Sequence, residues 1–559
     1  MNRIAGLALL AGCAASQAAP SPDDPPQIDK QIAGLAPAKL GSTPALDKAI
    51  TTYYGTQRGQ RTYIQTDKPL YQPGETIWFR ADLRTAKTMV GDAPAGVTLQ
   101  LISPRGSIVA NKRVLAQGGI ARNDFVLDPN IEGGEYTIQL TTPMGQVDTR
   151  KVIVNTYEAP RLMKTLELLR TAYGANDSVS AALEIKRTNG EAFANKKVTA
   201  VVTIDDAEVS RTQVSTDGDG KAIVKFQLPA QMARGDGLLT VLVEDGGITE
   251  SIQKRIPIVM TTLNLALYPE GGDLVQGVPG RVYFMAKTTI GKPADIEGKV
   301  VDDRGQIVST FTSVHDGMGS FELQPTASRK YRVEITKPVN ITTKVDVPAA
   351  KNDGCVIRSL EQKKGTDQLR VAAICASSQT VAIEATLREN RLGGGAFNVE
   401  AGKPALVVLP IPKSSQGAVR VTLFSDKNQP LAERLVYHGT GANLKVTLTA
   451  DKKSYSPREK IKLKVRTQDA KGNPVKANVA LAVVDDTVLS YADDKSAKIL
   501  AKLYLEPELG ATAADPIEEP NFYFTDKPEA AAAMDALLAT RGYRKFEWRQ
   551  VSLPAGGTR

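Results

Sequence analysis

The sequence predicts an all-β protein: a tandem array of β-sandwich domains with a short helical segment near the C-terminus. Three observations predict this architecture. The chain has 559 residues, 42% of them hydrophobic, which is room for several domains that each bury a core. Short alternating strands separated by Gly- and Pro-bearing turns recur along the chain. Two sequence patterns occur more than once at domain-sized spacing.

The first repeated pattern lies at residues 61–80 and is typical of the start of a β-sandwich. A short apolar strand is followed by Pro69 and by the pair Pro73-Gly74. Proline fixes φ and glycine supplies a positive φ, so these residues predict a tight irregular turn. Apolar side chains then alternate along the next strand, which predicts one inward face.

This pattern returns near the C-terminus, at residues 451–463. Arg458 replaces the turn glycine there, which predicts a different turn. Six positions are shared: Asp67, Lys68, Tyr71, Pro73, Glu75 and Ile77 match Asp451, Lys452, Tyr455, Pro457, Glu459 and Ile461. So many matches in one short window indicate a repeated domain.

The second repeated pattern is a phenylalanine strand that precedes another alternating strand. Phe125, Phe226 and Phe321 recur about every hundred residues, the size of one immunoglobulin-like sandwich. We therefore predict five modules, numbered first to fifth in chain order. Their bounds are 60–157, 158–258, 261–350, 353–439 and 443–552.

The first pattern also resembles a known family. Thr66-Asp67-Lys68-Pro69-x-Tyr71-x-Pro73-Gly74, with Tyr63 upstream, is similar to the second macroglobulin-like domain of the alpha-2-macroglobulin and complement family. The resemblance covers about residues 60–552. It implies a tandem array of macroglobulin (Ig/fibronectin-like) β-sandwich domains and a role as an endopeptidase inhibitor.

Many members of that family carry an internal thioester, formed by a Cys and a Gln in a Gly-Cys-Gly-Glu-Gln pattern. These 559 residues contain no such pattern. Cys355 is followed at the required offset by Arg358, and Cys375 by Ser378. Covalent capture of a protease through a thioester is therefore not expected.

The family also implies a bait segment that proteases cleave. In the family it is inserted after a strand that resembles residues 479–489, and here the inserted segment is 490–525. The candidate cleavage residues are Lys498, Lys502 and Tyr504. We expect a short helix over 496–505.

The N-terminus predicts export. Arg3 precedes a short apolar core, Ile4 to Leu10, which is the form of a signal peptide. Leu10-Ala11-Gly12-Cys13 resembles a bacterial lipoprotein box, which implies signal peptide 1–13 and a lipid anchor on Cys13. The alternative is an ordinary signal peptide cleaved near Ala18-Ala19.

The residues after the signal predict a spacer. Ala14 follows the cysteine, and by lipoprotein sorting rules it favours an outer-membrane lipoprotein that faces the periplasm. Residues 14–59 are interpreted as linker and lead-in, with a membrane tether at 20–30 and a short helix at 45–54.

Cys355 and Cys375 are candidates for a disulfide in an exported protein. Two antiparallel strands joined by a turn at 364–367 place one cysteine roughly opposite the other. The alternative is two reduced, buried cysteines.

The net charge of +9 is mostly scattered, except for a basic stripe over residues 460–466. There Ile461, Leu463 and Val465 are expected to face the core and the basic side chains solvent. Such a stripe is typical either of a site that binds anionic envelope polymers or lipid headgroups, or of a solvated strand face that protects a sheet edge. No nucleic-acid module is recognisable.

No catalytic or metal pattern is found, so we expect neither an enzyme nor a cofactor. His315 and His438 lie on different modules. Residues 217–220, Asp-Gly-Asp-Gly, have no liganding glutamate at calcium-loop spacing and favour a tight turn.

The C-terminal region predicts a helix over 529–540, with Asp526 as its cap and Pro528 in its first turn. Residues 537–548, together with 267–274, resemble segments of bacterial envelope proteins that carry a TonB-type receptor plug. The sequence thus leaves two functions open. One is a lipid-anchored macroglobulin that binds proteases, and the alternative is a non-inhibitory scaffold or accessory module of an outer-membrane complex.

Overall fold

The fold is taken from a computed structural model that describes residues 27–56, 58–156, 161–439, 444–456, 458–484, 488, 496–512 and 515–543. Strands predominate, and they pair almost wholly in antiparallel sheets. This confirms the predicted array of β-sandwiches. Cys13 and the signal peptide 1–13 lie outside the described residues, as does the end of the chain beyond residue 543.

The first module is a two-sheet sandwich. One sheet has the order β1-β3-β6 and the other β2-β8-β7-β4-β5, and their inner faces share one core. Alternation places Ile77, Phe79 and Ala81 of β3 inside, as the sequence predicts. The strands are β1 Gln60–Thr66, β2 Leu70–Tyr71, β3 Thr76–Thr85, β4 Ala95–Ile102, β5 Ile108–Ala116, β6 Ile120–Val126, β7 Gly134–Thr141 and β8 Val147–Val154.

The second module repeats the arrangement with sheets β9-β10-β13 and β12-β11-β14-β15. Its strands are β9 Leu162–Leu168, β10 Ser178–Arg187, β11 Lys197–Ile204, β12 Ala207–Ser215, β13 Lys221–Gln227, β14 Gly237–Asp245 and β15 Ile248–Ile256. Residues 217–220 form the turn before β13, where Asp217 Oδ1 accepts hydrogen bonds from the backbone N–H groups of Asp219 and Lys221.

The third module has sheets β16-β17-β20 and β19-β18-β21-β22. Its strands are β16 Asn264–Pro269, β17 Gly280–Lys287, β18 Glu297–Asp302, β19 Ile307–Thr312, β20 Met318–Leu323, β21 Tyr331–Lys337 and β22 Lys344–Asp346. Phe125, Phe226 and Phe321 are buried on β6, β13 and β20, the third strand of the smaller sheet in each module. The phenylalanine repeat therefore marks equivalent core positions.

The fourth module has sheets β23-β24-β27 and β26-β25-β28-β29. Its strands are β23 Cys355–Ser359, β24 Gln368–Cys375, β25 Gln379–Leu387, β26 Asn390–Val399, β27 Ala405–Pro410, β28 Gly417–Ser425 and β29 Pro430–His438. Cys355 lies directly opposite Cys375 in the antiparallel register, and their sulfur atoms form a disulfide.

The lead-in to the modules is not the extended spacer that composition suggests. Helix α1, Gln27–Ala33, replaces the end of the expected tether at 20–30, and helix α2 spans Pro44–Gly55. Ile32 of α1 is buried against the β24-β27 surface of the fourth module, and Leu46 and Ile50 of α2 pack on Phe424. These apolar side chains gain burial only by docking, which overrides the polar composition around them.

In the fifth module, β30 Lys445–Ala450 and β31 Leu463–Gln468 form a two-stranded antiparallel sheet, called here the open hairpin. Two expectations are wrong here. Residues 479–484 are not a strand, and Ile461, Leu463 and Val465 are exposed rather than facing a core. Among the described residues, no second sheet lies against this hairpin. Its apolar side chains alternate with polar ones as predicted, but they have no core to face.

The chain then forms helices α3 Ile499–Tyr504 and α4 Glu506–Leu509, a 3₁₀ turn at Phe522–Phe524 and helix α5 Ala530–Thr540. The expected helices at 496–505 and 529–540 are both present, within a few residues. Asp526 is not the cap of α5, because the helix begins at Ala530 and Glu529 occupies the N-cap position.

Candidate functional site

The candidate site is the segment that the sequence interprets as bait-like, with the helix that follows it. We call residues 496–512 and 515–543 the C-terminal strap. The strap lies across the first, third and fourth modules: α3 contacts β1, and α5 contacts β17, β20 and β29. A single stretch of chain thus joins three sandwiches.

The strap is attached to the first module by ion pairs. Lys502 Nζ lies 3.0 Å from Asp148 and 3.2 Å from Glu506, one helical turn ahead. Arg61 Nη2 donates to Glu508 at 2.7 Å. Burial alone would lower the pKa of Lys502, but Asp148 and Glu506 raise it above the ordinary value. Lys502 therefore stays charged at neutral pH.

Apolar contacts fix the strap to the third and fourth modules. Leu505 and Leu509 share a core with α5, whose Met534, Leu537 and Leu538 are buried. This core is completed by side chains from β17, β20, β28 and β29: Tyr283, Met285, Met318, Ala418 and Leu435. Burying several large side chains makes α5 the strong anchor of the strap.

Aromatic rings hold the strap at Phe522 and at Tyr543. His315 stacks on Phe522, with ring centroids 3.8 Å apart and planes 9° apart. Tyr543 Oη donates to the carbonyl of Gly272 at 2.7 Å, and its ring meets Tyr268 edge-on. His315 thus has a structural contact.

His438 is also used structurally. It is fully buried, and its two ring nitrogens lie 2.6 Å and 3.0 Å from the carbonyl oxygens of Ser415 and Thr366. Buried between two backbone carbonyls, it has no access to a substrate.

A cluster of buried arginines and buried or half-buried carboxylates lies beneath α5, between the third and fourth modules. We call it the interdomain charge cluster: Asp29, Glu270, Arg281, Tyr283, Glu322, Arg358, Arg434 and Asp535. Its members come from α1, both modules and α5. The lead-in and the strap therefore meet at one site.

On the strap side of the cluster, Arg434 is the central cation. It donates to Glu270 at 3.2 Å and to Asp535 of α5 at 2.7 Å, while Glu270 also accepts from the backbone N–H of Ser359 at 2.9 Å. Burial alone would lower the pKa of Arg434, but Asp535, Tyr283 and Glu270 raise it above its ordinary value. Removing one partner of such a buried pair typically costs about 3–5 kcal/mol.

On the lead-in side, two arginines share carboxylates. Arg281 donates to Asp29 of α1 at 2.6 Å and to Glu322 at 3.0 Å. Arg358 donates to Glu322 at 2.8 Å and also contacts Asp29. Sequence reasoning missed these residues. The available signal was a charged side chain within an otherwise apolar run, as in Cys355-Val356-Ile357-Arg358.

The candidate cleavage residues differ in accessibility. Lys498 is exposed just before α3, whereas Lys502 and Tyr504 lie within α3 and are half-buried. The Arg388 guanidinium lies 5.4 Å from the ring centroid of Tyr504. Exposed irregular chain is the preferred substrate of proteases. Lys498 is therefore the accessible member of the three, and cleavage at the other two requires local opening.

The family motif forms a compact hydrogen-bonded unit in the first module. Tyr71 Oη donates to Asp67 at 2.6 Å, and Asp67 accepts from the N–H of Trp78 at 3.0 Å. Lys68 pairs with Glu75 at 2.6 Å. Burial raises the pKa of Tyr71, and Asp67 raises it further. Of the remaining motif residues, Tyr63 lies on β1, Pro69 precedes β2, and Pro73 and Gly74 form the turn after β2.

The described part of the chain offers neither a metal site nor a membrane-spanning helix. It contains no group of His, Cys, Asp or Glu side chains arranged to hold a metal ion. None of its helices is both long and apolar enough to cross a bilayer.

Comparison with known proteins places the motif in a family domain. Residues 61–154 match the MG2 domain model. This range contains Tyr63, Asp67, Lys68, Pro69 and Tyr71. No curated protein sequence matches the chain.

Solved structures of two bacterial proteins are similar to the chain. Trypsin-activated alpha-2-macroglobulin from Escherichia coli is 14% identical over 74% of this chain and 33% of that one, with a TM-score of 0.43. Salmonella alpha-2-macroglobulin reacted with methylamine is 14% identical over 84% of this chain and 35% of that one, with a TM-score of 0.35. The chain spans about one third of the length of these proteins. Within this chain, residues 61–154 thus form an MG2 domain.

Proposed function

We propose that the chain is a protease-binding, macroglobulin-like protein of the cell envelope that responds to cleavage of its C-terminal strap. The observation that carries the proposal is the continuity of the strap across three modules. Contacts at Lys502 and Glu508 hold its first part to the first module, and α5 anchors its last part elsewhere. A cut at Lys498 would separate the strap covalently from the fifth module, so that only these non-covalent contacts would hold it to the other modules.

The proposed response is a change of module arrangement without a covalent trap. The side chains of the Lys502 and Arg61 ion pairs are partly buried, so the cost of removing these charges from water offsets much of their attraction. The α5 anchor, with its buried core, is much stronger. Cleavage would therefore release the first part of the strap and leave α5 in place. Binding rather than catalysis is proposed, because neither histidine is available to a substrate.

Limited proteolysis of the purified chain tests this proposal. Trypsin, chymotrypsin and elastase are each added, and the cuts are mapped by mass spectrometry and followed by light scattering. We expect the first cut of each protease within 490–525, then a change in hydrodynamic radius and retention of the protease with reduced activity on a protein substrate. Scattered first cuts, with no change in size and full protease activity, would eliminate the proposal.

A pair of variants isolates the role of the strap. In the double variant Arg61→Gln/Asp148→Asn the strap loses both ion pairs to the first module, so we expect faster cleavage at Lys498 and Lys502. The matched control is Glu208→Gln, which removes an exposed pair with Arg211 in the second module. Its cleavage rate should equal that of the unmodified chain.

The second candidate function is a non-inhibitory scaffold or accessory of an outer-membrane complex of the TonB-receptor type. It is favoured by the helical, half-buried state of Lys502 and Tyr504, which are poor substrates as they stand. A scaffold would co-purify with an outer-membrane protein and leave added proteases fully active. The same proteolysis experiment, with affinity purification from membranes, separates the two functions.

We propose that lipid on Cys13 holds the chain at the outer membrane, facing the periplasm. Support comes from the Leu10-Ala11-Gly12-Cys13 pattern and from Ala14 after it. Growth with a clickable palmitate analogue should label the chain, and Cys13→Ser should abolish labelling and membrane fractionation. Labelling that survives Cys13→Ser would refute the anchor.

A further inference from the structure

The open hairpin of the fifth module repeats the motif geometry of the first module bond for bond. Tyr455 Oη donates to Asp451 at 2.5 Å, and the N–H of Lys462 donates to the same carboxylate at 3.1 Å. Lys452 pairs with Glu459, as Lys68 pairs with Glu75. Strands β30 and β31 are therefore equivalent to β1 and β3, with a shift of 384 residues.

The equivalence shows what the hairpin lacks. In the first module, β6 lies on the outer edge of β3 and a second sheet covers the inward face. In the described part of the fifth module, β31 pairs along its length with β30. Its other edge is bonded there only at the C-terminal end, where the N–H of Val475 donates to the carbonyl of Thr467 and Gln468 bridges Pro474. Apolar side chains that face the core in the first module are exposed at the equivalent positions of the fifth module. They are Leu448, Ile461, Leu463, Val465, Leu481 and Val483, each 39–75% exposed.

The free edge of β31 is oriented for strand addition. In β3, the peptide group of Trp78 bonds toward β1, and that of Leu83 bonds toward the β6 side, to Gly119. Peptide groups alternate in direction along a strand. Because Lys462 bonds toward β30, the N–H groups of Leu463 and Val465 point to the free edge.

The charges on this hairpin select the partner. The face opposite the apolar one carries Lys460, Lys462, Lys464 and Arg466. In the first module, β6 places Asp124 opposite Trp78 and Arg122 opposite Arg80. By equivalence, a strand added to β31 would place its outward side chains opposite Lys462 and Lys464. Opposite charges at such positions favour pairing.

We infer that the open hairpin binds an extended strand from another polypeptide. The strand adds antiparallel to β31, with apolar side chains on the inner face alternating with acidic ones on the outer face. Main-chain hydrogen bonds supply affinity and the alternating side chains supply specificity, as in other cases of strand addition. The inference does not depend on the proposed response to proteases.

The first experiment uses the chain's own β6 as a probe. A labelled peptide of residues 118–129 with the change Arg122→Glu presents Phe125 opposite Ile461 and two acids opposite Lys462 and Lys464. Its binding to the full chain is measured by fluorescence anisotropy. We expect the acidic peptide to bind about 5-fold more tightly than the unchanged sequence, since each cross-strand charge pair contributes roughly 0.2–1 kcal/mol.

Two variants of the full chain identify the binding edge. Leu463→Pro removes an N–H that faces the free edge and leaves the bonds toward β30 intact. Peptide binding should therefore weaken about 10-fold or more, because one main-chain hydrogen bond is lost and the proline ring clashes with the added strand. Lys462→Glu/Lys464→Glu should reverse the preference between the two peptides. This second variant remains informative if Leu463→Pro disrupts the hairpin.

Three results would overturn the inference. The first is that neither peptide binds the full chain. Another is binding that neither variant changes. The last is occupation of the edge by the chain itself: self-association in sedimentation that Leu463→Pro abolishes would make a second copy the occupant.

Discussion

The first and fifth modules begin with the same motif, but the strand that follows is buried in one and exposed in the other. Ile77 is fully buried, whereas Ile461 at the equivalent position is 47% exposed. The hydrogen bonds of the motif are the same in both. The comparison shows that the motif is a local structure, formed by residues within about a dozen positions. Burial of its apolar face depends on distant strands.

The largest contrast is expected from truncating the equivalent isoleucines. Ile77→Ala creates a cavity in a closed core and should destabilise the first module by about 2–5 kcal/mol. Ile461→Ala removes an exposed side chain and should change stability by less than about 0.5 kcal/mol. Urea unfolding followed by hydrogen exchange in each module measures both. Equal losses would mean that the open face is covered in solution.

Removing the disulfide tests whether the stability of the fourth module depends on the disulfide as well as on its hydrophobic core. Cys355→Ser/Cys375→Ser opens a loop with a sequence separation of 20 residues, which should cost about 3 kcal/mol by freeing the unfolded chain. The loss should be confined to the fourth module and leave exchange in the open hairpin unchanged. Exchange that also accelerates in the hairpin would show that the two modules are coupled.

The fourth module should also show pH dependence through Glu384. Burial raises the pKa of this carboxyl from 4.5 to about 7, against the opposing effect of Arg391, 2.7 Å away. The folded state then binds more protons than the unfolded state between these values, so stability should fall as pH rises from about 4.5 to about 7. The loss is at most about 3 kcal/mol.

Glu384→Gln should remove this fall in stability. The matched control is Glu400→Gln, which changes an exposed carboxylate of the same module paired with Lys403. Thermal melts at pH 4.5, 6 and 8 distinguish the two variants. A fall that persists in Glu384→Gln would assign the titration to another group.

The smallest contrast concerns the motif tyrosines. Tyr71→Phe removes one of the two donors to the partly buried Asp67, leaving the N–H of Trp78, and should cost about 1–2 kcal/mol. Tyr455→Phe leaves Asp451 accessible to water, so its cost should be near or below about 0.5 kcal/mol. Denaturant melts of both variants provide the measurement, and a larger loss for Tyr455→Phe would contradict the comparison.

Much of the architecture could be predicted because its signals are local. The strand alternation around Ile77, the phenylalanine positions and the facing register of Cys355 and Cys375 depend on residues near one another in sequence. The helix at Pro44–Gly55 was also predictable from its own residues.

The rest depends on contacts between distant segments. Nothing in the local sequence of Asp29 or Asp535 indicates that both reach one charge cluster between two modules. The strap's docking and the open face of the fifth module likewise depend on which distant surface lies opposite. The module bounds and the roles of Cys13, Lys498, Lys502 and Tyr504 stay predictions.

Hydrogen–deuterium exchange of the equivalent strands is the most direct test of the central claim that one module is closed and the other open. Peptides that cover β3 and β31 are compared in the same purified chain. We predict that amides of β31 exchange at least about 100-fold faster than those of β3, because opening an edge hairpin requires little free energy. Comparable protection in the two strands would contradict the account, since the hairpin would then already be covered.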